Sequence, residues 1–555
     1  MIKIFTIISL LLCGSTFVSA QNEKIALLYE TKANSGYFSM SGKDVAFIGS
    51  SVMIFECGSV ENGREVWRTD GTTEGTYMIK DINPGVDQFD SPNSSHPEYF
   101  NSFGDHVYFR AYDGVHGIEL WRTDGTEAGT VMVKDINNGG SGSLAVTSPQ
   151  FGVYKGELYF MAEGSRAAGS ELWKTDGTEA GTVLVKDINP GDRSGSNPNQ
   201  FVVYEDLLYF TATPSYGFKE IWYTDGTAEG TRRLSSLPNS ETPRPERLVV
   251  LNDLLIFIAN LNNGFEMWRS DGTSQGTYEL KDINTSGGSV SSDKEFVEYK
   301  GELYFKARSV EYGDELWKTN GTTAGTVLVK DINIYSGDKT YSSTPLDLTV
   351  FGDKLFFNAR TESHGAELWV TDGTADGTTL YNDLYPGSNG GNPRGMTVYN
   401  NRLFFNGKAS YWGGDLFSIG TDQSAMPVAH ECVGFSLKDL ALFSQFYVVN
   451  NTFCFQAELE ENTGFELYKL EGTSTGITNE IENNSIRIFP NPVANSLNIE
   501  MEEAAFKAEI FNIQGVRMLS YRDEKAKDVS QLKPGMYLLK VVCADGITSR
   551  PFLKK

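Results

Sequence analysis

Seven tripeptides of the form E-[LVIM]-W end at Trp67, Trp121, Trp173, Trp222, Trp268, Trp317 and Trp369, and they hold seven of the eight tryptophans in the chain. Their steps are 54, 52, 49, 46, 49 and 52 residues. A period near 50 restricts the chain to a repeat architecture, because a unit of that size cannot bury a core alone and must be covered by its neighbours. The series continues as Asp415-Leu416-Phe417 and Glu466-Leu467-Tyr468, which makes nine units, seven clear and two degenerate.

One unit reads strand by strand. In residues 296–305 two short β-rich runs flank Lys300-Gly301, a two-residue hairpin turn, and Asn400-Asn401 does the same between Tyr399 and Leu403. A third run, Glu315 to Thr319, ends at Asn320-Gly321, and a fourth runs from Thr326 to Ile332. Alternation sends Leu303, Phe305 and Ala307 one way and Tyr304 the other, so both faces of the four-stranded sheet are apolar. Such sheets must stack face to face. The expected fold is all-β: a β-propeller of four-stranded blades, with a linear β array as the alternative. Nine blades exceed the usual four to eight, so the degenerate units merge or the ring is large. Residues 25–29 are expected to supply a strand that the last blade lacks, since 476–481 makes a poor fourth strand, and thereby to latch the ring.

The polar residues repeat with the scaffold. Thr-Asp-Gly-Thr recurs at Thr69, Thr175, Thr224 and Thr371, and Asn320 replaces Asp in one unit, which fits a turn that needs a short acceptor rather than a charge. The tryptophans are expected to pack between adjacent sheets. Lys-Asp-Ile-Asn-Pro-Gly gives Asp81 and Asn83, and again Asp187 and Asn189, the spacing that opens a calcium loop. A bidentate Glu at position 12 is not reproduced, so calcium is expected at most as a stabiliser and no other cofactor is implied. His116 and His364 occupy the same place in different units, which points to a loop preference. HExxH, G-x-S-x-G and Walker motifs are absent from the sequence. Carboxylate pairs for glycoside cleavage stay open, because 72 acidic residues offer many candidates.

A net charge of −25 excludes nucleic acid and anionic membranes as partners. Met1 to Lys3 is basic, Ile4 to Leu12 apolar, and Val18-Ser19-Ala20 a small-residue cleavage site, so residues 1–20 read as a secretory signal peptide. Cys13 raises a lipoprotein alternative, but Leu12 stands where such a signal wants a small residue. No later run is long enough to span a bilayer as a helix. Of the four remaining cysteines, Cys432 and Cys454 are the pair to watch.

The repeat occupies residues 21–477, a polar linker follows at 478–485, and residues 486–555 read as a small β-sandwich of about seven strands. This last segment carries Pro490-Asn491-Pro492, then Ile510-Phe511-Asn512-x-x-Gly515, then Leu532-x-Pro534-Gly535-x-Tyr537, and ends in Lys554-Lys555. It resembles the type A C-terminal sorting domain of type IX secretion. The resemblance implies export through the periplasm, handling by the type IX machinery, and release or attachment at the cell surface. The region 21–477 is similar to the ELWxxDGT-repeat proteins, a group without a shared known activity. The function expected is a secreted or cell-surface binding or adhesion module for a glycan or protein ligand, leaning away from an enzyme; the alternative is an exported polysaccharide hydrolase or lyase.

Overall fold

The computed structural model describes residues 23–29, 45–59, 61–138, 142–144, 150–164, 169–191, 195–214, 218–234, 244–260, 264–290, 296–334, 341–409, 415–421, 423, 427–430, 446–457, 466–472, 487–489, 493–500, 507–512, 517–522, 526–533, 535–543 and 546–554. The signal peptide, the linker, Cys432, Pro490, Asn491, Pro492, Gly515, Pro534 and Lys555 lie outside them. The chain divides into two compact units, Met1–Glu471 and Gly472–Lys555.

The first unit is a β-propeller of nine four-stranded blades, and among the described residues there is no helix. Blades 1 to 8 are antiparallel meanders over residues 45–80, 98–134, 151–186, 199–233, 246–281, 297–330, 346–382 and 394–430. Neither degenerate unit merges with a neighbour. Blade 9 takes Phe446–Val449, Thr452–Ala457 and Glu466–Gly472 from the end of the repeat and Glu23–Tyr29 from its start, in the order that puts the N-terminal strand outermost. The latch thus forms where the sequence lacks a good fourth strand. Leu28 is fully buried among Met53, Phe55 and Trp67 of blade 1 and Tyr447, Val449, Cys454 and Leu467 of blade 9. Asn450 N donates to Ser50 O at 2.8 Å across the same seam.

Within a blade the first strand is innermost, since first strands of successive blades touch one another. The hairpin after it takes two residues in the left-handed region, Lys300 and Gly301 or Asn400 and Asn401, which is the type I′ geometry that suits twisted strands. Side-chain alternation places Leu303, Phe305 and Ala307 against blade 5 and Tyr304 against blade 7. Each tryptophan meets the preceding blade: Trp121 packs with Ile54 and Val66, Trp317 with Ile256 and Ile258, and Trp369 with Tyr304 and Leu316.

The Asp-Gly segment is a closed hydrogen-bond set. Asp124 Oδ1 accepts from Thr126 N at 2.9 Å and Thr126 Oγ1 at 2.7 Å, while Thr123 Oγ1 accepts from Gly125 N and lies 2.7 Å from Thr130 Oγ1. Asn320 Oδ1 makes the same two bonds in blade 6, at 3.0 and 2.7 Å. Those donors hold Asp124, Asp176, Asp225 and Asp271 below the usual carboxylate range. The Lys of Lys-Asp-Ile-Asn then reaches this turn in the next blade: Lys134 Nζ donates to Thr182 O at 2.9 Å and Lys330 Nζ to Thr378 O at 2.7 Å.

The second unit holds seven strands in a three-stranded and a four-stranded sheet. Leu497 and Ile499 of the first sheet share a core with Ala508, Ile510, Leu539 and Val541 of the second.

Candidate functional site

What varies between blades is concentrated. In the second strand an unbroken series of phenylalanines, Phe55, Phe109, Phe160, Phe210, Phe257, Phe305, Phe357 and Phe405, is fully buried. The residue after each is different in kind: Glu56, Arg110, Met161, Thr211, Ile258, Lys306, Asn358 and Asn406. That position pairs with the start of the innermost strand, as in Glu98 with Arg110, Asn199 with Thr211, Leu346 with Asn358 and Arg394 with Asn406. Six of the eight, Glu56, Met161, Thr211, Ile258, Asn358 and Asn406, are buried between blades, whereas Arg110 and Lys306 are half-buried. The first-strand partners of this position lie at the end of the inner strands that receives the connectors.

A bulge marks the same place. The register of the first two strands slips between Glu98 and Asn101, Asn199 and Val202, Glu246 and Val249, Leu346 and Thr349, and Arg394 and Thr397. The extra residue is left-handed each time: Tyr99 (φ 58°), Gln200 (60°), Arg247 (60°), Asp347 (55°) and Gly395 (65°). Four of these five are not glycine, so the ring holds backbone that costs on the order of 1–3 kcal/mol per residue. Bulges re-aim side chains, and here they release a polar one at the axis.

These groups are linked from blade to blade. Gln150 Oε1 accepts from Gln200 N at 2.9 Å, and Gln200 Oε1 accepts from Arg247 N at 3.1 Å. Arg394 Nη1 donates to Asp347 Oδ2 at 2.9 Å. Arg110 gives Nε to Glu98 Oε2 at 3.1 Å, with Nη2 on the same oxygen, and Nη1 to Leu144 O at 3.1 Å. Its guanidinium carbon stands 4.6 Å from the centre of the Tyr99 ring. Beside it opens a cavity of about 430 Å³ lined by Ser95, His96, Glu98, Arg110, Tyr112, Gly117 and Ile118. Burial and the Arg64 charge pull His96 below the ordinary histidine range.

The connectors that frame this rim are clamped by carboxylates the sequence reading passed over. The Glu that opens each of the tryptophan tripeptides is buried in seven blades, as Glu65, Glu119, Glu171, Glu220, Glu266, Glu315 and Glu367. Glu65 accepts Ile82 N and Ser95 N at 2.9 Å and Ser95 Oγ at 2.6 Å. Glu171 takes Ile188 N, Ser196 N and Ser196 Oγ at 2.8, 2.9 and 2.6 Å. In blade 7 Leu384 N, Tyr385 N and Gly391 N replace the serine, and in blade 4 Glu220 pairs with Arg233 at 3.1 Å. Against these donors, burial pushes Glu65, Glu119, Glu315 and Glu367 up to about 7 and Glu266 to about 8. The signal available in sequence was that Glu recurs as strictly as Trp.

The other candidates are scaffold or engaged in protein bonds. Asp81 Oδ2 accepts from Asn62 Nδ2 at 3.2 Å, Asn83 Nδ2 donates to Ser94 O at 3.0 Å, and Asn189 Nδ2 to Gly195 O at 3.2 Å. Asp187 is exposed. Among the described residues no group of three His, Cys, Asp or Glu side chains is placed to hold a metal ion. Trp67, Trp121, Trp268, Trp317 and Trp369 are buried, and Trp173 and Trp222 are half-buried against their neighbours' cores. Cys454 is a buried thiol, which burial pushes up to about 12, and Cys432 lies outside the described residues. His116 Nδ1 lies 2.6 Å from Asp113 Oδ2, and His364 Nδ1 lies 2.7 Å from Ser363 Oγ, in equivalent loops of blades 2 and 7. No carboxylate orients His364 from its other side among the described residues, so Ser363 and His364 stop short of a nucleophile triad. In the second unit Tyr537 and Lys554 are buried, and Gly535 opens the long strand that ends at Cys543.

The tail is decided by its sequence. Residues 487–555 match the family model of the secretion system C-terminal sorting domain. The tail is a type IX sorting domain. The sorting domain marks the chain for export, to secretion or to surface attachment. No curated protein matches the chain. Among solved structures it is similar to puromycin hydrolase, at 13% identity and a TM-score of 0.35 over 66% of this chain and 58% of that one. It is similar also to a puromycin-hydrolyzing peptidase of Mycobacterium tuberculosis, at 12% and 0.34 over 66% and 57%. Prolyl endopeptidases analysed for inter-domain dynamics match at 11% and 0.35, over 66% and 54%. The chain spans little more than half the length of each, and likenesses this slight carry no argument about chemistry. Among the described residues no helix is long and apolar enough to cross a membrane.

Proposed function

We propose that the protein is an exported binding module that carries a polar ligand, glycan or protein, at the connector end of the propeller axis. One observation carries this reading: on a scaffold that repeats its Trp, Glu, Lys and Thr contacts blade by blade, the bulges at the start of the inner strands place unlike, half-buried polar residues, Gln200, Arg247 and Asp347, beside Glu98, Arg110 and Arg394. Function on a repeat scaffold belongs where the repeat is broken, and loops or strand ends on a rigid frame are where binding resides. Glu98, Arg110, Gln200, Arg247, Asp347 and Arg394 offer donors and acceptors in fixed positions, which suits recognition of a polar surface. The signal peptide takes the chain into the periplasm, the type IX machinery acts on the sorting domain, and the ELWxxDGT-like propeller is the delivered part. Pro490, Asn491, Pro492, Gly515, Pro534, Gly535, Tyr537, Lys554 and Lys555 carry the sorting signal.

The hydrolase reading keeps one observation, the Ser363–His364 contact, and lacks an acid to complete it. Deletion of residues 487–555 is expected to retain more than about nine tenths of the protein in the periplasm on cell fractionation. Normal export of the deleted chain would overturn the sorting role. Shortening of a polysaccharide by the exported protein would favour the hydrolase.

A further inference from the structure

A second cavity lies away from the axial rim, between the connector that leaves blade 6 and the loop joining the second and third strands of blade 7. It measures about 450 Å³, within the range of small-ligand sites. Its walls divide by chemistry. Ile334, which is 75% exposed, and Leu380 form an apolar side, and buried Trp369 closes the floor. Its polar lining includes Glu362, Ser363 and His364.

The polar side is pre-set. Asn333 is buried and pins the loop by accepting from Glu362 N at 3.1 Å, while its own amide donates to Ser342 O at 3.1 Å. Ser363 Oγ and His364 Nδ1 share a hydrogen bond at 2.7 Å, and Thr361 Oγ1 lies 3.2 Å from the same nitrogen, so two hydroxyls fix the ring. The Trp369 indole N–H is buried without a partner, a trait it shares with Trp121, Trp173, Trp222, Trp268 and Trp317, so it supports a polar occupant without selecting one.

We infer that this cavity is a subsite for a neutral hexopyranose unit of a glycan. Its single carboxylate, with no cationic side chain in the lining, disfavours an anionic ligand. One exposed carboxylate without a cage of aromatic faces is a poor ammonium site. A pyranose has what the walls ask for: hydroxyls that donate to the Glu362 carboxylate and hydrogen-bond the His364 ring, and a C–H face for Ile334 and Leu380. The equivalent loop of blade 2 holds His116 against Asp113, and the cavity near it is lined by an arginine–carboxylate pair.

The inference rests on the binding reading and names a place for one ligand class, and its test separates the two. Saturation-transfer NMR on the full-length protein would use methyl glucopyranoside, galactopyranoside and mannopyranoside, with glucuronate and N-acetyl-lysine amide as comparators. At least one methyl pyranoside is expected to bind with a dissociation constant on the order of millimolar. Ile334→Asp and His364→Ala should each weaken it at least about tenfold, and Lys300→Ala at the hairpin end should not. Both substitutions lie in exposed or half-exposed loop positions, and unchanged melting temperatures would certify the fold. Binding of none of the pyranosides, tighter binding of the lysine amide or of glucuronate, or pyranoside binding indifferent to both substitutions would each overturn the inference. Loss on Arg110→Ala alone would move the sugar to the rim, sinking this cavity and leaving the binding module intact.

Discussion

A chain lacking residues 23–29 is expected to melt roughly 5–10 °C lower and to self-associate. Those seven residues are the outer strand of blade 9, and their loss leaves a three-stranded blade with an open edge. Leu28 leaves a pocket in which it is fully buried, worth about 1.5–3 kcal/mol, and the ladder bonds to Glu466–Gly472 add about 1 kcal/mol each. A few kcal/mol moves the midpoint of a large domain by several degrees. An unpaired strand edge is also a template for pairing with a second chain. Differential scanning calorimetry and size-exclusion chromatography read the two effects. An unchanged midpoint with a monodisperse peak would show that the ring closes without its N-terminal strand. The single substitution Leu28→Ala, expected to cost about 2–5 kcal/mol, gives a graded version that keeps the strand.

The second large effect is a loss of stability on going from pH 5 to pH 8. Six buried glutamates clamp the connectors, and burial holds Glu65, Glu119, Glu315 and Glu367 at about 7 and Glu266 at about 8, with Glu171 raised in the same direction. In the unfolded chain a glutamate titrates near its ordinary value. Between those two values the folded protein binds more protons, so stability falls as pH rises. The contribution is complete below the unfolded value and gone above the folded one. Each group accounts for roughly 1–3 kcal/mol, with the serine and backbone donors limiting the loss because they serve the carboxylate too. Below about pH 4 the turn aspartates, which are held low, act in the opposite sense, so the optimum falls near pH 5. A melting temperature that is flat or rises from pH 5 to pH 8 contradicts this. Glu119→Gln imitates the protonated form and should match the natural chain at pH 5 while exceeding it at pH 8.

The scaffold was legible because it is written many times. Spacing of the tryptophans gave the number of units, the Lys300-Gly301 and Asn400-Asn401 pairs gave the inner hairpins, and the weak 476–481 run pointed to the N-terminal latch. Asn320 in place of Asp showed that the turn needs an acceptor, and it makes both bonds in that role. The clamp glutamates were harder to see. Strand alternation does not tell a buried carboxylate from an exposed one, and the partner serine follows at intervals from 23 residues (Ser289) to 30 (Ser95), which hides the pairing. The rim was harder still. Variation after an unbroken Phe series is visible in the sequence, but its meaning depends on the pairing that puts residue 110 beside residue 98 at the axis.

The claim that binding resides at the rim has a direct test. An immobilised panel of glycans and surface proteins would be probed with the natural chain, with an Arg110→Ala, Gln200→Ala, Arg394→Ala triple variant, and with a Lys155→Ala, Asn252→Ala, Lys300→Ala control on the opposite, hairpin end. The account predicts that the natural chain and the control retain the same ligand and that the rim variant, still folded by calorimetry, loses at least about tenfold in affinity. Equal retention by all three, or release of shortened glycan products in place of retention, would contradict it.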